Sequence, residues 1–138
     1  MSEKFPLTVH IISFSFKKGL PEDPSGNGGG FVFDCRAIPN PGVIEEYKTL
    51  TGMQTPVIEY IEQHPAAHEF KAHVFALAEQ SVKRYLERGF SSLMICFGCT
   101  GGQHRSVYFA EQTAAFIAEN YPVVVELEHR EQGVRRNM

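Results

Sequence analysis

The sequence predicts an α/β fold: a single three-layer domain built on a mostly parallel sheet. Three observations carry that expectation. Short β-branched and apolar runs recur along the chain and end in glycine, proline or polar clusters. Longer stretches between them repeat apolar residues with helical spacing. From Ser92 to Leu127 the chain reads strand, loop, helix, strand, a unit whose two strands run parallel with a right-handed crossover. The chain has 138 residues, the size of one domain. A domain of that size hides roughly two-thirds of its unfolded surface.

Taken in order, Leu7 to Phe16 is a strand, ended by Lys17-Lys18-Gly19. Pro21 to Gly30 (PEDPSGNGGG) is a flexible loop by composition. Phe31 to Phe33 is a second short strand, closing on Asp34-Cys35-Arg36. Pro39-Asn40-Pro41 is a rigid turn, with Pro41 opening a short helix through Tyr47. Thr55 is the expected cap of the next helix, with Pro56 inside it and an end near His64. The longest helix spans about Ala66 to Arg88 and stops at Gly89. Its stripe is Phe70, Val74, Leu77, Ser81 and Tyr85, flanked by Ala78, Val82 and Leu86. Ser92 to Phe97 (SLMICF) is a fully buried strand, Gly98 to His104 a loop, and Arg105 to Glu119 a helix. Pro122 to Leu127 is a last strand, and residues 132–138 form a tail. No internal repeat and no second domain is evident.

Apolar residues make up 43% of the chain and charged ones 21%, as in ordinary folded domains, and the formal net charge is -3. That balance excludes a surface coated in basic charge but not a local basic patch. No apolar run approaches the ~20 residues of a membrane helix, so no membrane partner is expected. The N-terminus lacks a secretory pattern. An odd count of three cysteines points to a reducing, cytoplasmic location.

The chemistry concentrates in Gly98-Cys99-Thr100-Gly101-Gly102-Gln103-His104-Arg105-Ser106. A loop at the carboxyl end of a buried strand, feeding a helix, is where open α/β sheets bind ligands. The helix start offers unpaired N–H groups and partial positive charge. Gly101 and Gly102 let the backbone wrap an anion, and Arg105 adds a planar fork suited to two phosphate oxygens. Thr100, Gln103, His104 and Ser106 complete the expected cradle for an inorganic anion or a phosphorylated small molecule. The adjacent glycines and the missing Lys-Ser/Thr pair exclude a Walker loop.

Cys99, five residues, then Arg105-Ser106 also resembles the cysteine-phosphatase signature, with Gly98 in place of the usual histidine. On that alternative Cys99 is the nucleophile, helped by the helix terminus, Arg105 holds the oxygens, and Asp34 is the general acid. Cys96 and Cys99 form a C-x-x-C, but Cys96 falls within the apolar strand, where a small buried residue is the simpler reading. Lys17, Lys18 and Arg36 lie just past strand ends and would gather at Arg105's edge, lining the pocket or a path for RNA. Asp34 can pair with a neighbouring arginine instead. His129 and Arg130 follow the last strand and are placed at the pocket edge. His10 is structural within its strand. His64, His68 and His73 do not make a metal site, because Pro65 breaks the spacing and no third ligand matches. Tyr47, Phe70 and Tyr85 belong to the core.

Taken together, Phe97 to Val107, Ser13 to Pro21, Phe33 to Pro41, Leu50-Thr51-Gly52 and His129-Arg130-Glu131 resemble, in order, the motifs of the RapZ C-terminal domain family. The resemblance runs from about Thr8 to Glu131 and implies an α/β domain of phosphofructokinase-like character. In full-length relatives this domain follows a P-loop domain, binds small regulatory RNA and helps sense glucosamine-6-phosphate; those proteins are multimeric adaptors. The P-loop domain is not represented here, so its ATP chemistry is not carried over, and the Arg135-Arg136 tail is less basic than the family's RNA-binding tail. The resemblance therefore implies a non-enzymatic regulatory domain with no cofactor. It would bind a sugar phosphate, RNA or a separate protein partner, and it would form a homo-oligomer.

Overall fold

A computed structural model describes residues 7–138. Five strands form one sheet: β1 (Thr8–Ser15), β2 (Phe31–Asp34), β3 (Ser92–Cys99), β4 (Val124–His129) and β5 (Val134–Asn137). Their order is β2-β3-β1-β4-β5; the first four run parallel and β5 pairs antiparallel with β4. Three helices, α1 (Thr55–Glu62), α2 (Pro65–Arg88) and α3 (Arg105–Asn120), complete the α/β domain. None of them is long and apolar enough to cross a membrane.

β3 and β1 are central, and every residue of β3 after Ser92 is buried, as a parallel strand covered on both faces requires. Side chains alternate between the faces. Val9, Ile11, Leu93, Ile95, Phe97, Val125 and Leu127 join the helices in the main core, which takes in Val57, Ile61, Val74, Tyr108, Phe109 and Ile117. On the opposite face Ile12, Phe14, Met94 and Cys96 form a smaller cluster with Phe16 and no helix. Residues 22–24 border His10 and Ile12 there, so a loop supplies the third layer.

The parallel pairing brings the carboxyl ends of β1, β2, β3 and β4 to one edge, with Ser15 opposite Cys99 and Asp34 opposite Gly98. The chain leaves β1 toward β2 and leaves β3 toward β4, in opposite directions along the sheet. The β1–β3 boundary is therefore the topological switch point, where open sheets form a crevice.

Several element bounds differ from the sequence expectation. The strand before the glycine loop continues through Cys99, because Gly98 and Cys99 still pair with β1. Phe16–Lys18 is a 3-10 turn rather than strand. Residues 41–47 form two 3-10 turns, Pro41–Val43 and Glu45–Tyr47, separated by extended Ile44. Gln54, not Thr55, is the residue before α1 and makes no side-chain cap. The tail folds back as β5 through Gly133, whose φ of 68° glycine adopts without strain. In α2 the buried positions are Ala67, Val74, Ala78 and Val82, while Leu77 is 43% exposed. Gly89 ends that helix in the left-handed conformation as expected, with Phe90 N–H donating to the Tyr85 carbonyl.

Candidate anion-binding site

The loop between β3 and α3 stands at the switch point, and its neighbours fix its course. Ser15 Oγ donates to the Thr100 carbonyl (2.6 Å), and Gln132 Nε2 donates to the Gly102 carbonyl (2.9 Å). Glu131 accepts from Ser15 N–H (3.1 Å) and from Arg130 Nε (3.2 Å). Gly102 has a φ of 67°, and a Cβ there would lie 2.6 Å from Glu131 Cγ and 2.8 Å from Ser15 N. Only glycine fits that turn. Gly101 is exposed, with open space where a Cβ would stand.

The start of α3 carries no side-chain cap. The first N–H groups of a helix have no intrahelical acceptor and bear partial positive charge. They adjoin a cleft of about 160 Å³ lined by Asn40, Gly42, Cys99, Thr100, Gly101, Gln103, His104 and Arg105. Arg105 is 5% exposed. Its Nη1 donates to the carbonyls of Arg36 and Ile38 (both 2.9 Å), while its buried Nε has no hydrogen-bond partner.

Of the residues expected at the cradle, Cys99, Thr100, Gly101, Gln103, His104 and Arg105 line the cleft; Gly102 and Ser106 do not and are buried. Cys99 Sγ donates to Ser106 Oγ at 3.2 Å. Gln103 Nε2 donates to the carbonyls of Lys48 and Leu50 (both 2.7 Å), and His104 Nε2 donates to the Tyr47 carbonyl (2.8 Å). These side chains fasten the segment that walls the cleft. Asn40 and Gly42 were missed as site residues, since Pro39-Asn40-Pro41 read as a turn. Asn40 does cap that turn, its side chain accepting from Gly42 N–H at 2.8 Å.

Asp34 and Arg36 form a two-point pair, with Arg36 Nε to Oδ1 at 2.9 Å and Nη2 to Oδ2 at 2.8 Å. The Arg36 hydrogen bond holds the Asp34 carboxyl below its usual range. Asp34 is thus ionised at neutral pH and unsuited to donate a proton. Arg36 also stacks over Phe16 at 4.1 Å. Lys17 and Lys18 are exposed beyond β1 at the same edge but do not line the cleft. Arg130 turns away to the Gly19 carbonyl (2.6 Å).

His129 does not reach the pocket edge. It is 0% exposed within β4, with Nδ1 2.7 Å from Ser13 Oγ and Nε2 2.6 Å from Glu111 Oε2. The carboxylate fixes Nε2 as a donor. Ser13 is also 0% exposed; the serine–histidine–glutamate row is a structural tie closed to substrate. Cys96 and Cys99 sit in the separate clusters on opposite faces of the sheet, so their side chains point away from each other. His64 and His68 bond backbone carbonyls of Tyr60 and Glu62.

Fold and site define an open, mostly parallel α/β domain with a glycine-rich strand–loop–helix at its switch point. The family model for the RapZ C-terminal domain matches residues 7–133, and the chain belongs to that family, as a RapZ-like regulatory domain.

Proposed function

We propose that this regulatory domain senses a phosphorylated small molecule, or inorganic phosphate, held in the cleft at the start of α3. The observation that carries the reading is Arg105. A guanidinium 5% exposed with an unpartnered buried Nε lines the same cleft as an uncapped helix terminus. A buried donor without an acceptor costs about 1–3 kcal/mol, and an anion oxygen supplies one once the Arg105 side chain turns its Nε into the cleft. Backbone N–H groups and the helix dipole favour the same charge. At about 160 Å³ the cleft suits one phosphoryl group.

A small phosphate is favoured over RNA because the tail arginines are already neutralised. Arg135 pairs with Glu128 (3.3 Å) and Arg136 with Glu111 (2.7 Å). No basic stripe is left for a nucleic-acid backbone at β5.

The test is calorimetric titration and thermal shift with inorganic phosphate and glucosamine-6-phosphate at constant ionic strength. Binding raises stability by about 2.7 kcal/mol at a hundredfold excess over Kd. Gly101 has room for a side chain, so Gly101→Asp keeps the fold and sets a carboxylate at the cleft mouth. It weakens binding by about tenfold, equivalent to about 1.4 kcal/mol, whereas Gly101→Ala does not. Equal affinity in Gly101→Asp, or no binding by wild type at millimolar ligand, overturns the reading.

A further inference from the structure

Three consecutive residues where the loop enters α3 reach across to one segment, residues 36–52. Arg105 donates to the carbonyls of Arg36 and Ile38, His104 to Tyr47, and Gln103 to Lys48 and Leu50, all within 2.9 Å. The Gln103 carbonyl accepts from Gly52 N–H at 3.0 Å. A Cβ at Gly52 would lie 2.2 Å from the His104 carbonyl oxygen, so the two backbones are in direct contact. The segment has little structure of its own: two 3-10 turns of three residues each. Within it Ile38, Pro41 and Gly52 are the buried residues, and Val43 is 74% exposed. The segment therefore forms a strap whose conformation depends on the loop, and its Asn40 and Gly42 form one wall of the cleft.

We infer that an anion in the cleft tightens this strap, so that occupancy of the loop is read on the outer surface of residues 36–52. The inference rests on the anion-binding reading and adds its regulation. An anion engaging the loop N–H groups and Arg105 restrains the residues that hold the strap's carbonyls. By linkage, whatever restrains or loosens the strap changes anion affinity by the same factor. Gln103 is then a positioning residue: its amide donors serve Lys48 and Leu50, and it shapes the cleft through the strap.

The experiment is amide hydrogen exchange on the full chain, with inorganic phosphate against chloride at equal ionic strength, beside a phosphate titration of the same samples. Saturating phosphate slows exchange in peptides covering 36–52 and leaves the exposed face of α2 unchanged. In Gln103→Ala, phosphate affinity falls by about fivefold or more, within the usual range of such couplings, and slowing at 47–52 is lost. The wild-type comparison needs no variant, so a poorly folded Gln103→Ala does not remove the test. Phosphate bound with unchanged exchange at 36–52 overturns the coupling while the anion site stands. A Gln103→Ala protein that keeps both affinity and slowing also overturns it. Absence of phosphate binding overturns the site and the coupling together.

Discussion

Gly102 is the residue on which the loop depends most directly. Its φ of 67° lies in the left-handed region, and any Cβ would press on Glu131 Cγ at 2.6 Å and on the backbone at Ser15 N and Phe14 C, at 2.8 and 2.9 Å. Left-handed strain of about 1–2 kcal/mol adds to overpacking of about 1–3 kcal/mol. Gly102→Ala is therefore expected to lower unfolding free energy by about 2–5 kcal/mol in urea denaturation. Gly101→Ala, next to it in open space, should change stability by no more than about 0.5 kcal/mol. Equal effects at the two positions would refute the division of roles. Both glycines were visible in the sequence as a loop able to wrap an anion. Which one carries the strain was not, because the difference comes from Ser15 and Glu131, 87 residues earlier and 29 later in the chain. Side-chain roles hid for the same reason. Gln103, His104 and Arg105 read as ligand donors, yet each spends hydrogen bonds on carbonyls of residues 36–50. Those acceptors are backbone atoms and leave no trace in residue identity.

Helices and strands were legible where local periodicity decides them and less so where packing does. α2 and its Gly89 stop followed from spacing and composition, as did β3 and α3. The phase of α2 did not: Leu77 is 43% exposed, whereas Ala78 and Val82 are 0% exposed. Small Ala78 occupies the main core, against which Phe75 and Phe116, stacked between α2 and α3 at 4.3 Å, also pack. Hydropathy ranks Leu above Ala, so a sequence stripe centres on the larger residue. The placement makes a test by denaturation. Ala78→Leu should destabilise by about 1–3 kcal/mol through overpacking, and Leu77→Lys should stay within about 0.5 kcal/mol. The reverse order would return the buried stripe to Leu77. β5 was missed because Val-Arg-Arg-Asn has the composition of a solvated end. Its strand character comes from pairing with β4, Leu127 opposite Arg136 and His129 opposite Val134.

At the scale of the whole domain, one polar row ties the last strand to the centre of the sheet. Arg136 Nη2 donates to Glu111 Oε1 (2.7 Å), Glu111 Oε2 accepts from His129 (2.6 Å), and His129 Nδ1 is hydrogen-bonded to Ser13 Oγ (2.7 Å). The row links α3, β4 and β5, which follow one another in the chain, to the distant β1. Burial pushes the Glu111 carboxyl up, but hydrogen bonds from His129 and Arg136 outweigh it and hold its pKa below the usual value. The sign of the pH dependence follows. A carboxylate whose pKa is lower in the folded state stabilises the fold above its unfolded pKa of about 4.3, and that contribution fades as pH falls through the folded value. Glu111→Gln keeps the shape and removes the charge. It should cost about 1–3 kcal/mol at pH 7, measured by urea unfolding, with the gap to wild type closing below about pH 4. Arg136→Ala should reproduce part of the loss, since Glu111 then keeps only its histidine partner. A gap independent of pH would mean that the row acts by shape alone, and the tie between β5 and the sheet would not depend on the Glu111 charge.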